Sequence, residues 1–252
     1  MLCKSLVALG LAGLAAAECG REQLLKVAKA YTAAQTAGKL DELKAFLADD
    51  AKYVENNKAS DFTKGVIAKA LVLDHSRSIA DTTACASYTE LVSAGGPYVI
   101  GTQLRHSADG AKVTLVDTIV ATTGSWFFNA KTTLGYIKDE DWGTLDEAKR
   151  SPRDVLKAAA DNYLNMWSNS SAKAAIPWGN PCTRTEGAMH VTPDCRAGAP
   201  NGGTLQNSER RYVIDETVGS ADVLLKFGGN MPDSHEFRLV SGKLVLVHTI
   251  TV

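Results

Sequence analysis

The sequence predicts an α+β protein built from two copies of one unit, each with its helices first and a curved antiparallel sheet after them. Three observations carry this reading. "KVTLVDTIVA" (112–121) and "KLVLVHTITV" (243–252) share Lys, Leu, Val, Thr and Ile at five of ten positions, at an offset of 131. Upstream, "LLKVAKAYTAA" (24–34) matches "LKAAADNYLNM" (156–166), which sets Tyr31 against Tyr163 at an offset of 132. Two matches at nearly one offset, one near the start and one near the end of each copy, point to a duplicated unit. Third, each copy closes in runs that alternate apolar and polar residues about glycine-containing turns, the period of strands packed on one face.

The elements follow in order. The opening "MLCKSLVALGLAGLAAA" (1–17) reads as a signal peptide. Lys4 supplies the positive start, the apolar run Ser5 to Leu14 is too short to span a bilayer, and Ala15-Ala16-Ala17 fits the small-residue cleavage rule. The mature chain is expected to begin at Glu18 and to reach the secretory lumen or the outside. The first unit, 18–138, opens with a helix over Arg21 to Ala37 and a shorter one over Asp41 to Leu47. "AKYVENNKASDF" (51–62) sets Tyr53 and Glu55 about Val54 and turns at Asn56-Asn57. "SYTELVSAGGPYVIGTQLRH" (87–106) is a strand, a Gly-Gly-Pro turn and a strand. Residues 139–151, charged and poor in apolar side chains, read as a linker. The second unit, 152–252, begins with a helix over Pro152 to Ser168, where Pro152 suits a first turn capped by Ser151. "IPWGNPCTRTEGAMHVTPDC" (176–195) is broken by Pro177, Gly179, Pro181 and Gly187 and reads as a stiff loop. Strands flank Gly219 in "RRYVIDETVGSADVLLKF" (210–227) and Ser241-Gly242 in "HEFRLVSGKLVLVHTITV" (235–252).

Composition narrows the function. Charges nearly cancel, 27 basic against 28 acidic, so no basic field draws nucleic acid. No later apolar run is long enough to predict a membrane span. Cys3 leaves with the leader; Cys19, Cys85, Cys182 and Cys195 remain, an even count that in an exported chain predicts disulfides. Of the three pairings, Cys182 with Cys195 closes a short loop, which leaves Cys19 with Cys85. No CxxC pair and no histidine at ligand spacing predicts a metal site. Asn169-Ser170-Ser171 is an acceptor tripeptide for glycosylation.

Several polar residues need a reason. Five of the twelve residues of "SERRYVIDETVG" (208–219) are charged, although it reads as a strand. Arg211, Val213 and Asp215 face one way, and Tyr212, Ile214 and Glu216 the other. Two readings stay open: an ion-paired network that fixes register, or a cavity wall in which Arg211 binds an oxygen and Asp215 or Glu216 moves a proton. On the 176–195 stretch, Trp178 offers a stacking surface, Arg184 a contact for an anion or carbonyl, and Glu186 a partner for Arg184. His248 and its counterpart Asp117 interrupt otherwise apolar strands, which favours a cavity position for both. No nucleophile elbow, phosphate-cradling loop or dinucleotide fingerprint occurs, so no cofactor is expected.

The pieces "YVENN", "DHSRSIADTTACASYTELV", "PYVIGTQL", "WGNPCTRTEG", "ERRYVIDETVG", "PDSHEFRL" and "VHTITV" resemble, in order along the mature chain, a family of secreted fungal proteins of two lobes. Each lobe resembles the cone of the nuclear-transport-factor-2-like (NTF2-like, or SnoaL-like) fold, with a pocket between helices and sheet. Members of the family in tropolone-sesquiterpenoid pathways are hetero-Diels–Alderases, which join a tropolone quinone methide to a humulene-type alkene. That resemblance implies a cofactor-free cyclase for an apolar or aromatic small molecule. Asp215, Glu216 or His248 would supply the acid that expels water. Arg184 or Arg211 would hydrogen-bond the tropolone oxygens, and Tyr163, Trp167, Trp178, Glu186 and Tyr212 would line the pocket that holds both partners together. A non-catalytic carrier, a proton-transferring isomerase or dehydratase, and a homodimer stay open as alternatives.

Overall fold

A computed structural model describes residues 19–252; the segment read as a signal peptide lies outside them. The first unit runs α1 (Arg21–Ala37), α2 (Asp41–Lys44), β1 (Leu47–Glu55), β2 (Lys58–Ser60), β3 (His75–Asp81), β4 (Ala86–Ser93), β5 (Tyr98–His106) and β6 (Val113–Ala121), followed by α3 (Ala130–Ile137). The second runs α4 (Arg153–Asn165), α5 (Ser170–Ala175), β7 (Trp178–Glu186), β8 (Met189–Val191), β9 (Ser208–Asp215), β10 (Ser220–Phe227), β11 (Met231–Val240) and β12 (Lys243–Thr251). Two six-stranded sheets result, ordered β2-β1-β6-β5-β4-β3 and β8-β7-β12-β11-β10-β9. The orders are the same, so the duplication read from the sequence is a duplication of fold. Each sheet contains one parallel pair, β1 with β6 and β7 with β12, because the chain returns to its first long strand only after four others.

Register breaks bend both sheets. One of them explains where the reading of 176–195 differs from the structure. The segment is no loop but the hairpin β7–β8. Its pairing to β12 jumps from Trp178–Leu244 to Thr183–Leu246, so Gly179 and Pro181 fall in the gap of the ladder, where a missing N–H costs no strand bond. Similarly α2 stops at Lys44 and Leu47 already belongs to β1. The sequence reading has no counterpart of α3, whose N-cap Asn129 accepts from Thr132 N at 3.0 Å.

Each opening helix lies in the concavity of its own sheet. Val27, Tyr31 and Ala34 of α1 pack on Leu91, Ile100, Leu104 and Val116; Leu156, Ala160 and Tyr163 of α4 pack on Val223, Leu225, Phe237 and Val247. The outer faces of the sheets meet each other, with Ile79, Tyr88, Val99 and Ile119 against Val213, Leu224 and Ile250. This gives helix, sheet, sheet, helix. Both expected disulfides are present: Cys19–Cys85 ties the start of α1 to the β3–β4 turn, and Cys182–Cys195 ties β7 to the segment after β8. Among the described residues no helix is long and apolar enough to cross a membrane.

The two concavities differ. In the first, Phe62 stacks on Tyr53 at 5.2 Å, and Val66 and Ile67 are buried against Tyr31. Gln35 Nε2 donates to the Val66 and Lys69 carbonyls at 2.9 and 3.0 Å and holds this connector inside. The first cone is filled by its own chain. A groove of ≈ 740 Å³ remains outside the plug, and its ionisable lining residues Lys39, Asp41, Lys44 and Asp49 are exposed to water.

Candidate active site

The second cone keeps a hollow of ≈ 580 Å³. Its wall follows from strand alternation. Along β11, Ser234, Glu236 and Arg238 turn to the other sheet, and Asp233, His235 and Phe237 turn inward. Along β12, Thr249 and Thr251 turn inward, and His248 and Ile250 turn out. Trp167, Phe227, Met189 and Met231 supply the apolar lining, with Arg184, Glu186 and His235 as the ionisable groups.

His235 is 2 % exposed, and its Nδ1 is hydrogen-bonded to Asp233 Oδ1. The other oxygen of that carboxylate accepts from Thr251 Oγ1 at 2.5 Å. A carboxylate on Nδ1 fixes the N–H there and leaves the Nε2 lone pair as the proton acceptor. Among the described residues Nε2 has no hydrogen-bond partner, and His235 lines the hollow. Arg184 donates from Nη1 to Glu186 Oε1 at 2.9 Å and from Nη2 to the Ala197 carbonyl at 2.7 Å. Its Nε and the buried Tyr163 hydroxyl find no partner. Burial pushes the Tyr163 phenol well above its ordinary range, so it stays a neutral donor.

The equivalent positions of the first cone hold no such dyad. There Thr102 faces Thr118 as His235 faces Thr249, and Tyr31, Thr102 and Thr118 close a hydroxyl chain with steps of 2.7 Å. Ile100 stands across the ladder from Val120 as Asp233 stands across from Thr251. The second cone has a His–Asp pair and an open hollow, and the first has neither.

Of the residues singled out from the sequence, Trp167, Arg184 and Glu186 line the hollow. Tyr163 lies beneath it, its ring 5.5 Å from Trp167 and 5.8 Å from His235. Trp178 packs from outside and donates Nε1 to the Lys173 carbonyl at 3.2 Å. Tyr212 donates to Asp161 Oδ1 at 2.5 Å on the helix side. Asn169 is exposed and caps α5 by accepting from Ser171 N at 3.0 Å. Arg211, expected to bind a substrate oxygen, and Asp215, Glu216 and His248, expected to supply the proton, lie away from the hollow. Three are at the seam between the sheets: Arg211 Nε donates to Asp117 Oδ2 at 2.5 Å, Asp215 accepts from Arg21 at 2.7 Å, and His248 bridges Glu90 at 3.0 Å and Glu140 at 2.6 Å. Glu216 is exposed and accepts from Arg153 N at 2.9 Å, at the start of α4. The reason is parity: odd-numbered residues of β9 and the even-numbered His248 of β12 share the outward face. Asp117 and His248 are equivalent, yet both meet the opposite unit and not a cavity.

The seam is reciprocal. Arg21, first in α1, reaches Asp215 at the end of β9; Arg153, first in α4, reaches Asp81 at the end of β3 at 2.7 Å. Asp215 also accepts from Ala80 N at 2.9 Å, and Asp81 from Ile214 N at 2.8 Å. Elsewhere the symmetry is only partial: Arg77 crosses to Glu236 on β11, whereas Arg211 crosses to Asp117 on β6, the position equivalent to His248. The reciprocal pairs are the pattern of a two-fold interface, written within one chain.

No curated protein matches the chain. Residues 149–251 match the family described as "Domain of unknown function (DUF8021)". Among solved structures, PrhC from Penicillium brasilianum is similar at 14% identity, covering 40% of this chain and 82% of that one with a TM-score of 0.29. An NTF2-like protein of unknown function from Cytophaga hutchinsonii is similar at 11% identity, covering 42% and 95% with a TM-score of 0.33. An NTF2-like protein from Bacteroides fragilis covers 87% of this chain and 94% of its own at 10% identity, with a TM-score of 0.22. On its own topology, with two sheets of one strand order and an opening helix in each concavity, the chain is a tandem pair of NTF2-like cones.

Proposed function

We propose that the second cone is a cofactor-independent enzyme of cyclase or isomerase type, acting on an apolar small molecule that carries oxygen. Its reaction, in this proposal, is the hetero-Diels–Alder coupling of a tropolone quinone methide with a humulene-type sesquiterpene. One observation carries the reading: a His235–Asp233 pair set in the wall of a hollow whose other lining is mainly apolar and aromatic, with Arg184 and Glu186 beside it. A simple carrier has no use for a histidine whose tautomer is fixed and whose free nitrogen faces its ligand. The chemistry balances with one proton shuttle. His235 Nε2 takes the proton of the ring hydroxyl of a hydroxymethyl tropolone and delivers it to the hydroxymethyl oxygen as that C–O bond breaks, so that water leaves and the quinone methide forms. Arg184 supplies a donor for the tropolone oxygens, where charge grows during addition, and the buried Tyr163 packs beneath the floor of the hollow. The apolar walls hold the alkene against the heterodiene, which removes the entropy cost of a bimolecular encounter. Two disulfides suit an oxidising compartment, and we include export and glycosylation at Asn169 in the proposal.

The test is incubation of the purified protein with a hydroxymethyl tropolone and humulenol, with product stereochemistry as readout. His235→Ala is expected to return the product mixture to that of the enzyme-free control while far-UV circular dichroism stays unchanged. A His235→Ala protein with the parent's rate and stereochemistry would overturn the assignment. Dehydration of the tropolone with no selectivity in the addition would favour the isomerase or dehydratase reading, to which the same dyad is suited.

A further inference from the structure

The hollow of the second cone is not walled by the second unit alone. After β6 the chain leaves the first sheet, and residues 122–129 cross to the β7–β8 hairpin, where Trp126 and Phe127 line the hollow beside Met189, Val191 and Leu205. Both rings are exposed, Trp126 at 49% and Phe127 at 53%, and they meet edge to face at 5.5 Å. Large aromatic side chains left in water at the mouth of an apolar cavity are unfavourable unless something covers them. Their backbone is nevertheless fixed. Ala188 N donates to the Phe127 carbonyl at 2.7 Å, and Thr133 Oγ1 of α3 donates to the Gly187 carbonyl at 2.8 Å. A Cβ on Gly187, which has φ +55°, would stand 2.6 Å from the Phe127 oxygen, so the close approach requires glycine. Phe127 is itself held at φ +46°, a conformation a bulky residue adopts only where its surroundings impose it.

We infer that Trp126 and Phe127, both from the first unit, form a specificity-determining lip that grips the hydrocarbon end of the ligand while its oxygenated end meets Arg184 and His235. This deepens the function proposed above and rests on it for the identity of the reaction, but not for the binding. The plugged first cone thereby completes the site of its neighbour. The ligand class is an elongated apolar molecule with one polar or anionic end, long enough to reach the lip.

The experiment is a fluorescence titration of the full chain with 1-anilinonaphthalene-8-sulfonate, which combines apolar rings with one anionic group. Trp126→Ala and Phe127→Ala are each expected to raise its Kd about tenfold, the loss of roughly half-covered aromatic area. Gly187→Ala, which keeps both rings and displaces the backbone under them, should weaken binding as well. Val72→Ala, at an exposed apolar residue away from the hollow, should leave Kd unchanged. Parent-like binding by both lip variants, equal weakening by Val72→Ala, or no binding by the parent chain would each overturn the lip. The function proposal fails separately, through turnover of the His235→Ala protein, so the two outcomes are read independently.

Discussion

At the scale of single residues, what distinguishes the two cones is an exchange at three positions that brings in two titratable groups and one hydroxyl. Thr102, Ile100 and Val120 of the first become His235, Asp233 and Thr251 of the second. The exchange is costly in stability, because a closed chain of hydroxyls gives way to a pair whose outer nitrogen is unpartnered. Costs of this kind are tolerated where a ligand completes the bonding. If His235 transfers the proton, His235→Ala should lower kcat by about 10²–10⁴ with little effect on thermal unfolding. Asp233→Asn is the sharper probe. It keeps the shape but lets the imidazole take the other tautomer, so kcat should fall while Kd for 1-anilinonaphthalene-8-sulfonate holds. A loss of binding that parallels the loss of rate would assign Asp233 to the structure of the wall instead.

At the scale of elements, strand parity decided which expectations survived. The helix Arg21–Ala37, the turn at Asn56-Asn57 and the hairpins at Gly219 and Ser241-Gly242 were legible, since period and turn chemistry are local. The faces of β9 and β12 were not, because both faces of these sheets are covered and an outward charge looks the same in sequence as an inward one. One signal could have resolved it. "SIADT" (78–82) and "VIDET" (213–217) end equivalent strands with an aspartate, and Arg21 and Arg153 open equivalent helices, a doubled pattern that fits an interface better than a catalytic set. His235 was within reach of the same logic, since Asp233 and His235 in "PDSHEFRL" share one face. Two expectations follow for these elements. Arg211→Met leaves the nearly buried Asp117 without its cation and should lower unfolding free energy by about 3 kcal/mol in urea, while kcat per folded molecule stays at the parent value. The Cys182→Ser/Cys195→Ser protein should lose about 3 kcal/mol through the loop it opens. It should also lose kcat/KM, because Ala197 and Gly198 of the rim follow Cys195 closely. A double serine variant with unchanged kcat/KM would detach the disulfide from the site.

At the scale of the whole molecule, the chain behaves as a dimer whose subunits were joined and then diverged, one filled and the other open. The faces by which two such cones pair are already covered within the chain, and the seam between them is where the protein stores its response to pH. Burial opposes the charge on His248, but the Glu90 carboxylate and the hydrogen bonds to Glu140 and Glu90 outweigh it and push the imidazole up to about 10. Burial likewise opposes ionisation of Glu90, yet His248 and Arg77 hold it well below the usual carboxylate range. Asp222, desolvated and set directly across the ladder from Glu236, is pushed well above its ordinary value. From an ordinary 6.5 up to about 10 the folded chain holds a proton on His248 that the unfolded chain has released, so stability declines as pH rises through that window. On the acid side the contribution of Glu90 is complete above an ordinary 4.5 and is lost as pH falls below it, while Asp222 stabilises least where the unfolded carboxyl is ionised. His248→Gln keeps a polar group of similar length and removes the titration. Urea midpoints should therefore fall between about pH 6.5 and 9.5 for the parent and change much less for the variant, the difference being on the order of a few kcal/mol. Parallel curves for the two proteins would mean that the cones are held together by their apolar contacts and the other ion pairs, with no part played by the proton on His248.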